Sequence, residues 1–212
     1  MFSWTTFDAM PIVAILRGFA FDETRALVAA CREAGILNFE VTMNTVGAPS
    51  QIEALAKDHA DCNIGAGTVC TLDELSAATG AGATFIITPG LFPEVVARAK
   101  QQAMAVFPGA FTPTEVYQAW ELGADIVKLF PASVLGADYL KDLRGPFPQI
   151  KLMPTGGVSS ENLEAYRRAG ACAFGVGGTM FERSLVAEGR WNEVTARARA
   201  LCAAYERAST SA

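Results

Sequence analysis

Histidine is almost absent from this chain: His59 is the only one among 212 residues. Histidine-rich metal centres and Ser-His-Asp triads are thereby nearly excluded. The five cysteines, Cys31, Cys62, Cys70, Cys172 and Cys202, form no CxxC and no zinc-like spacing. They read as reduced thiols of a cytosolic protein. There is no basic run to offset a net charge of −5, which argues against a nucleic-acid surface. No apolar run is long enough to span a membrane, and the opening MFSWTTFDAM lacks the basic-then-apolar pattern of a signal peptide. The chain has no linker and no low-complexity segment, so residues 1–212 are expected to form one domain in the cytoplasm.

What is present is apolar. Just over half of the residues are hydrophobic and 18% are charged, enough for a sizeable core. Eight short apolar runs recur, at 11–18, 37–44, 62–69, 84–90, 104–110, 125–132, 150–157 and 172–178, most of them ending in Gly or Pro. Helical segments lie between them. In 22–35, Ala26, Ala29, Ala30 and Glu33 fall on one stripe. SQIEALAKDHA, TLDELSAATGAG, PEVVARAKQQ, TPTEVYQAWELGA and SSENLEAYRRAGA follow the same logic, several with Ser, Thr or Pro at the start and Gly at the end. The tail from Trp191 reads as a last helix. Trp4, Trp120 and Trp191 fall in helices as packing residues. Strand–helix alternation eight times, with continuous apolar strands, points to an α/β protein with a parallel sheet closed into a (β/α)8 TIM barrel. An open doubly wound sheet is the alternative, lowered by the lack of G-x-G-x-x-G after the first strand.

Barrel chemistry is placed at the carboxyl ends of the strands. There the unusual residues stand out. Alternation in 37–44 sends Phe39 and Val41 toward helices, and Asn38, Glu40, Thr42 and Asn44 toward the interior. In GADIVKLFPAS, Lys128 shares the inner face with Ile126 and Phe130. A buried ion pair of Glu40 with Lys128 would be the structural explanation, but such pairs rarely add stability over apolar residues. Burial also lowers a lysine pKa enough for nucleophilic attack on a carbonyl. PTGGV (154–158) and GVGGT (175–179) follow strands seven and eight, where barrels build phosphate sites from backbone N–H groups. Tight turns are the simpler reading of either pair alone. Arg17 ends strand one and could clamp a carboxylate. Thr68 and Thr155 are strand-end hydroxyls, and Pro89 and Phe130 are candidate pocket walls.

With EVTMNT, GAGTV, TPG, FPG, KLFPA, PTGGV and GVGGT in this order, the chain resembles the class I aldolases of the 2-keto-3-deoxy-6-phosphogluconate (KDPG) and 4-hydroxy-2-oxoglutarate family over nearly its whole length. The resemblance implies a barrel with no metal and no cofactor, assembled as a homotrimer, acting on a keto-deoxy sugar acid phosphate and on pyruvate. It implies Lys128 as the Schiff-base lysine and Glu40 as general acid/base. Gly156, Gly157, Gly177, Gly178 and Thr179 match the phosphate loops; Thr68, Pro89, Phe130 and Thr155 match the substrate pocket. One position departs from the pattern. The family's gluconate enzymes carry arginine, as in EVTLRT, where this chain has Asn44. The phosphogalactonate enzymes have Asn there and LRG after strand one, as here with Arg17, which would supply the missing charge. Cleavage of the gluconate substrate is the first expectation. Its C4 epimer in the galactonate series and 4-hydroxy-2-oxoglutarate are the alternatives. A non-covalent phosphate-binding isomerase or epimerase and a sugar-phosphate sensor rank below them.

Overall fold

The computed structural model describes residues 1–210. The chain opens with helix α1 (Trp4–Ala9), followed by β1 (Ile12–Leu16), α2 (Phe21–Glu33), β2 (Asn38–Thr42), α3 (Ala48–Asp58), β3 (Asn63–Gly67), α4 (Leu72–Gly80), β4 (Phe85–Ile87) and α5 (Pro93–Gln101). It continues through β5 (Ala105–Phe107), β6 (Gly109–Ala110), α6 (Pro113–Glu121), β7 (Val127–Leu129), α7 (Ala132–Arg144), β8 (Leu152–Pro154), α8 (Leu163–Arg168), β9 (Phe174–Val176), α9 (Arg183–Ala187) and α10 (Trp191–Thr210). All pairings are parallel.

The strands run in two sheets, β5-β4-β3-β2-β1-β9 and β6-β7-β8. Two junctions close them into the α/β barrel. One is a bridge between Thr155 and Gly175 that joins β8 to β9. The other is Pro108, which splits the expected fifth strand into β5 and β6. Proline has no N–H to give to a ladder, so the strand pairs with β4 on one side of Pro108 and with β7 on the other. The Pro108 carbonyl still accepts from the Lys128 N–H at 2.9 Å.

Local signals explain most helix starts. Thr71 and Glu74 form a reciprocal capping box at α4, and Thr112 and Glu115 form another at α6. Prolines stand in the first turn of α3, α5 and α6. Two helices have no counterpart in the sequence pattern, α7 and α9, whereas the helix expected at Trp4 is α1. In α7 the left-handed φ of +75° at Gly136 separates two short helical pieces, which blurs the periodicity. The α2 stripe is also corrected. Its buried face is Thr24, Leu27, Val28, Ala30 and Cys31; of the expected stripe Ala30 is buried, while Ala29 is exposed and Glu33 pairs at the surface with Arg199. Leucine and valine have more apolar area to remove from water than alanine, so they set the rotation of the helix.

Alternation divides the strand residues as expected. Phe39, Val41, Val127 and Leu129 join the layer between strands and helices. A second, smaller cluster fills the lower barrel: Val13, Phe85, Ile87, Phe107, Ile126 and Met153 among others. Helix α1 plugs this end. Phe7 is 1% exposed and packs on the Phe107 ring at 5.6 Å. Asn63 ties the plug down, accepting from the Ser3 N–H at 2.8 Å and donating to the Ser3 carbonyl at 2.9 Å. Asn38 donates to the Met10 carbonyl and accepts from Asn63. No described helix is long and apolar enough to cross a membrane.

The plug makes a prediction. Phe7→Ala should cost about 3–5 kcal/mol of stability, read as a lowered urea midpoint. An unchanged midpoint would mean that α1 is not part of the folded core.

Candidate active site

Above the apolar plug layer the barrel interior becomes polar. Glu40 is fully buried on β2, and neither of its carboxylate oxygens has a protein hydrogen-bond partner. Room for it comes from the neighbouring strand. A Cβ on Gly67 would lie 1.5 Å from Glu40 Oε1. Burial raises the Glu40 pKa above the usual carboxylate range, opposed by the charges of Lys128 and Arg17.

Lys128 on β7 is 2% exposed. None of the ion pairs among the described residues involves it or Glu40. The closed ion pair considered from sequence is therefore not formed. Burial pushes the Lys128 pKa down. The Glu40 and Cys70 groups push it up, and Arg17 pushes it down. Its ammonium nitrogen lies 5.1 Å from the centre of the Phe130 ring.

Two hydroxyls complete this interior. Thr155 is 3% exposed, and Thr68 directly follows β3; the Oγ1 atoms of both are buried without a partner. Thr68 has φ +57°, a left-handed backbone that β-branched residues rarely adopt. Such strain concentrates at functional sites. The turn after it is held by Glu74, whose carboxylate accepts from the Cys70 N–H at 2.6 Å and the Thr71 N–H at 3.1 Å. Phe130 and Pro89 are half-buried. Phe130 lies against Gly156, where an added Cβ would come within 3.4 Å of the ring. The Pro89 carbonyl crowds β6, within 2.5 Å of a Cβ on Gly109.

The rim differs from expectation in two places. Asn44 does not face the interior. Strand β2 ends at Thr42 and the chain turns, with Thr45 N–H donating to the Thr42 carbonyl at 2.9 Å, so Asn44 is exposed beside Arg17 and accepts from its Nη1 at 3.3 Å. Thr179 does not present its hydroxyl proton to the mouth. It donates to the Val158 carbonyl and so joins the two glycine loops. Gly156 and Gly157 have φ of +92° and +78°, so this turn requires glycine. Gly177 and Gly178 have no such φ, and a Cβ on Gly178 would meet nothing within 4 Å. There the missing side chain leaves the backbone open to approach. Arg17, Gly177 and Gly178 share a cavity of about 310 Å³ with Ile15, Phe181 and Arg183.

Sequence reading missed Gly67, Gly175 and Arg183. Gly175 makes room for Thr155, since a Cβ there would lie 2.3 Å from its Oγ1. GAG and FGVG do carry these glycines, but nothing local says which side chain across the barrel needs the space.

A buried, unpaired lysine sharing a barrel interior with a buried carboxyl group is an arrangement suited to attack on a carbonyl. Residues 5–197 match the family model for KDPG and KHG aldolase, and the chain belongs to that family. It is 37% identical over 180 residues to a 2-dehydro-3-deoxy-6-phosphogalactonate aldolase of Escherichia coli (strain K12), covering 84% of this chain and 87% of the relative. It is 34% identical over 199 residues to a 2-dehydro-3-deoxy-phosphogluconate aldolase of Treponema pallidum (strain Nichols), covering 91% and 93%. A solved KDPG aldolase from Legionella pneumophila, with pyruvate captured at low pH as a covalent carbinolamine intermediate, superposes with a TM-score of 0.84. It has 29% identity and covers 93% of this chain and 96% of that one. The protein is thus an aldolase, a carbon–carbon lyase, and the isomerase and sensor readings fall away.

The electrostatics predict two opposite titration shifts. Glu40→Gln removes a charge that raises the Lys128 pKa, so that pKa should fall further. Arg17→Ala removes a cation that lowers it, so it should rise. NMR titration of the lysine Cε resonance reads both. Shifts of the same sign would contradict this arrangement.

Proposed function

We propose that the protein cleaves 2-keto-3-deoxy-6-phosphogluconate to pyruvate and glyceraldehyde 3-phosphate through a Schiff base on Lys128. The observation that carries this reading is the Lys128 amine itself: buried, free of any ion pair, and held below its usual pKa. A neutral amine is the nucleophile that such chemistry needs.

In the proposed sequence the Lys128 nitrogen attacks C2 of the keto acid, giving a carbinolamine. Glu40 protonates the departing hydroxyl, water leaves, and an iminium remains. Glu40, now a carboxylate, takes the proton of the C4 hydroxyl. The C3–C4 bond breaks, its electron pair flows into the iminium, and the aldehyde leaves. The resulting enamine is protonated at C3, and water hydrolyses the iminium to free pyruvate and the amine. A carboxyl group whose pKa is raised by burial suits this two-way proton traffic. The Thr68 and Thr155 hydroxyls, both without a protein partner, face the keto acid, with Pro89 and Phe130 as walls. Arg17, steadied by Asn44, supplies the positive charge for the substrate carboxylate. The backbone around Gly156, Gly157, Gly177, Gly178 and Thr179 receives the phosphate, which serves orientation more than chemistry.

The phosphogalactonate epimer is the second reading. The Arg17–Asn44 pair favours it, together with the 37% identity to a phosphogalactonate aldolase. 4-Hydroxy-2-oxoglutarate remains the third candidate. We also read residues 1–212 as one cytoplasmic domain, in keeping with its five free cysteines. Assembly as a homotrimer is carried by family resemblance.

Borohydride added with pyruvate should fix a pyruvyl mass on Lys128, found by peptide mass spectrometry. Lys128→Ala should abolish both trapping and pyruvate release. Glu40→Gln should lose roughly 10²–10⁴-fold in kcat. A folded wild-type protein that traps nothing would end the Schiff-base reading. Rates on the two C4 epimers, compared side by side, decide between the first two substrates.

A further inference from the structure

Arg183 lies far from Arg17 in sequence, yet it grips the backbone that carries it. Its Nη2 donates to the Arg17 carbonyl at 2.8 Å, and its Nη1 donates to the Gly18 carbonyl at 2.8 Å. The guanidinium also lies over the Phe19 ring, 4.4 Å from its centre. Three consecutive residues of the β1–α2 loop are thus held by one side chain from α9. The fit is close. A Cβ on Gly18 would come within 3.0 Å of Arg183 Nη2, and Gly18 has φ +65°. On its other flank the loop is tied to the turn after β2. Gly18 N–H donates to Thr45 Oγ1 at 2.8 Å, and that hydroxyl pairs with Thr42 Oγ1 at 3.0 Å.

A planar fork spanning two successive carbonyls fixes both position and direction, which an ammonium cannot reproduce. The two tethers are not equivalent. Thr45 anchors the loop to the strand that bears Glu40, whereas Arg183 anchors it to the helix that follows the Gly177–Gly178 loop. Arg17 therefore sits between the acid/base side of the barrel and the proposed phosphate side, with its main chain fastened to both.

We propose that Arg183 is a positioning residue for substrate binding. By clamping the Arg17 and Gly18 carbonyls, it aims the Arg17 guanidinium at the carboxylate of the keto acid. The α9 clamp thereby couples the loop after β9 to the carboxylate end of the pocket. This rests on the reading of Arg17 as the carboxylate partner. It assigns no contact between Arg183 and substrate.

Pyruvate tests it, because pyruvate has the carboxylate and ketone but no phosphate. The measurement is the pyruvate concentration that gives half-maximal borohydride trapping at Lys128. Arg183→Gln should raise it about tenfold, a factor equivalent to about 1.4 kcal/mol of binding. Arg183→Lys, which keeps the charge but loses the fork, should fall between Gln and wild type. Gly18→Ala, which drives a methyl group into the clamp while leaving Arg183 in the chain, should mimic Arg183→Gln. In an Arg17→Ala background Arg183→Gln should add nothing, because its effect runs through Arg17. Thermal denaturation of each variant separates these shifts from loss of fold. Should Arg183→Gln act by the same factor with and without Arg17, or leave half-saturation unmoved, the clamp is not a positioning device. Wild-type protein that pyruvate does not label overturns the aldolase reading itself, and the clamp proposal with it. Labelled wild type with additive variants overturns the clamp alone.

Discussion

Everything in this molecule turns on one desolvated amine. Lys128 sits within a ring of parallel strands where water is largely excluded, with no carboxylate closing on it. Bringing an ammonium and a carboxylate out of water without pairing them is costly. The protein lessens the cost by moving both pKa values toward the neutral forms, lysine down and glutamate up. What remains must be offset by apolar burial elsewhere, to which the plug layer of Phe7, Phe85, Phe107 and their neighbours beneath the site contributes. The apolar lower barrel and the polar upper barrel are thus parts of one arrangement.

Glycine shapes the polar half. Gly67 leaves room for the Glu40 carboxylate and Gly175 for the Thr155 hydroxyl. In both cases a small residue on one strand makes space for a functional group on its neighbour. The glycines of the two rim loops do different work. Gly156 and Gly157 permit left-handed backbone, while Gly178 leaves the main chain uncovered. A run of glycines in a barrel sequence is therefore not one signal but several, told apart only by what lies opposite.

The rim is held together by side chains that bond to backbone from a distance. Thr179 joins the loops after β8 and β9, Thr45 joins those after β1 and β2, and Arg183 joins the β1 loop to α9. Each bond links neighbouring units of the barrel at its open end, where no strand ladder reaches. The strained turn at Thr68 is instead followed by a segment held from within, the Glu74 carboxylate accepting from the Cys70 and Thr71 N–H groups.

Much of the fold was legible because its signals are local. The period of two in NFEVT and DIVKLF assigned inner and outer faces correctly, including Glu40 and Lys128, because alternation in a strand depends on nothing beyond the strand. Ser and Thr caps and first-turn prolines marked helix starts for the same reason. Where the reading went astray, the answer lay across space. The α2 stripe was set by which side chains the sheet and α10 would cover. Asn44 turned outward because its strand ends at Thr42, and Thr179 spent its proton on a carbonyl 21 positions away. The sequence by itself determined the barrel, the inward lysine and the inward glutamate, since each follows from short-range periodicity. Only the tertiary structure decided that the two stay unpaired, that Gly67 and Gly175 hold space for others, and that Arg183 grips the loop of Arg17. Those outcomes depend on distances between segments far apart in the chain, which no local pattern encodes.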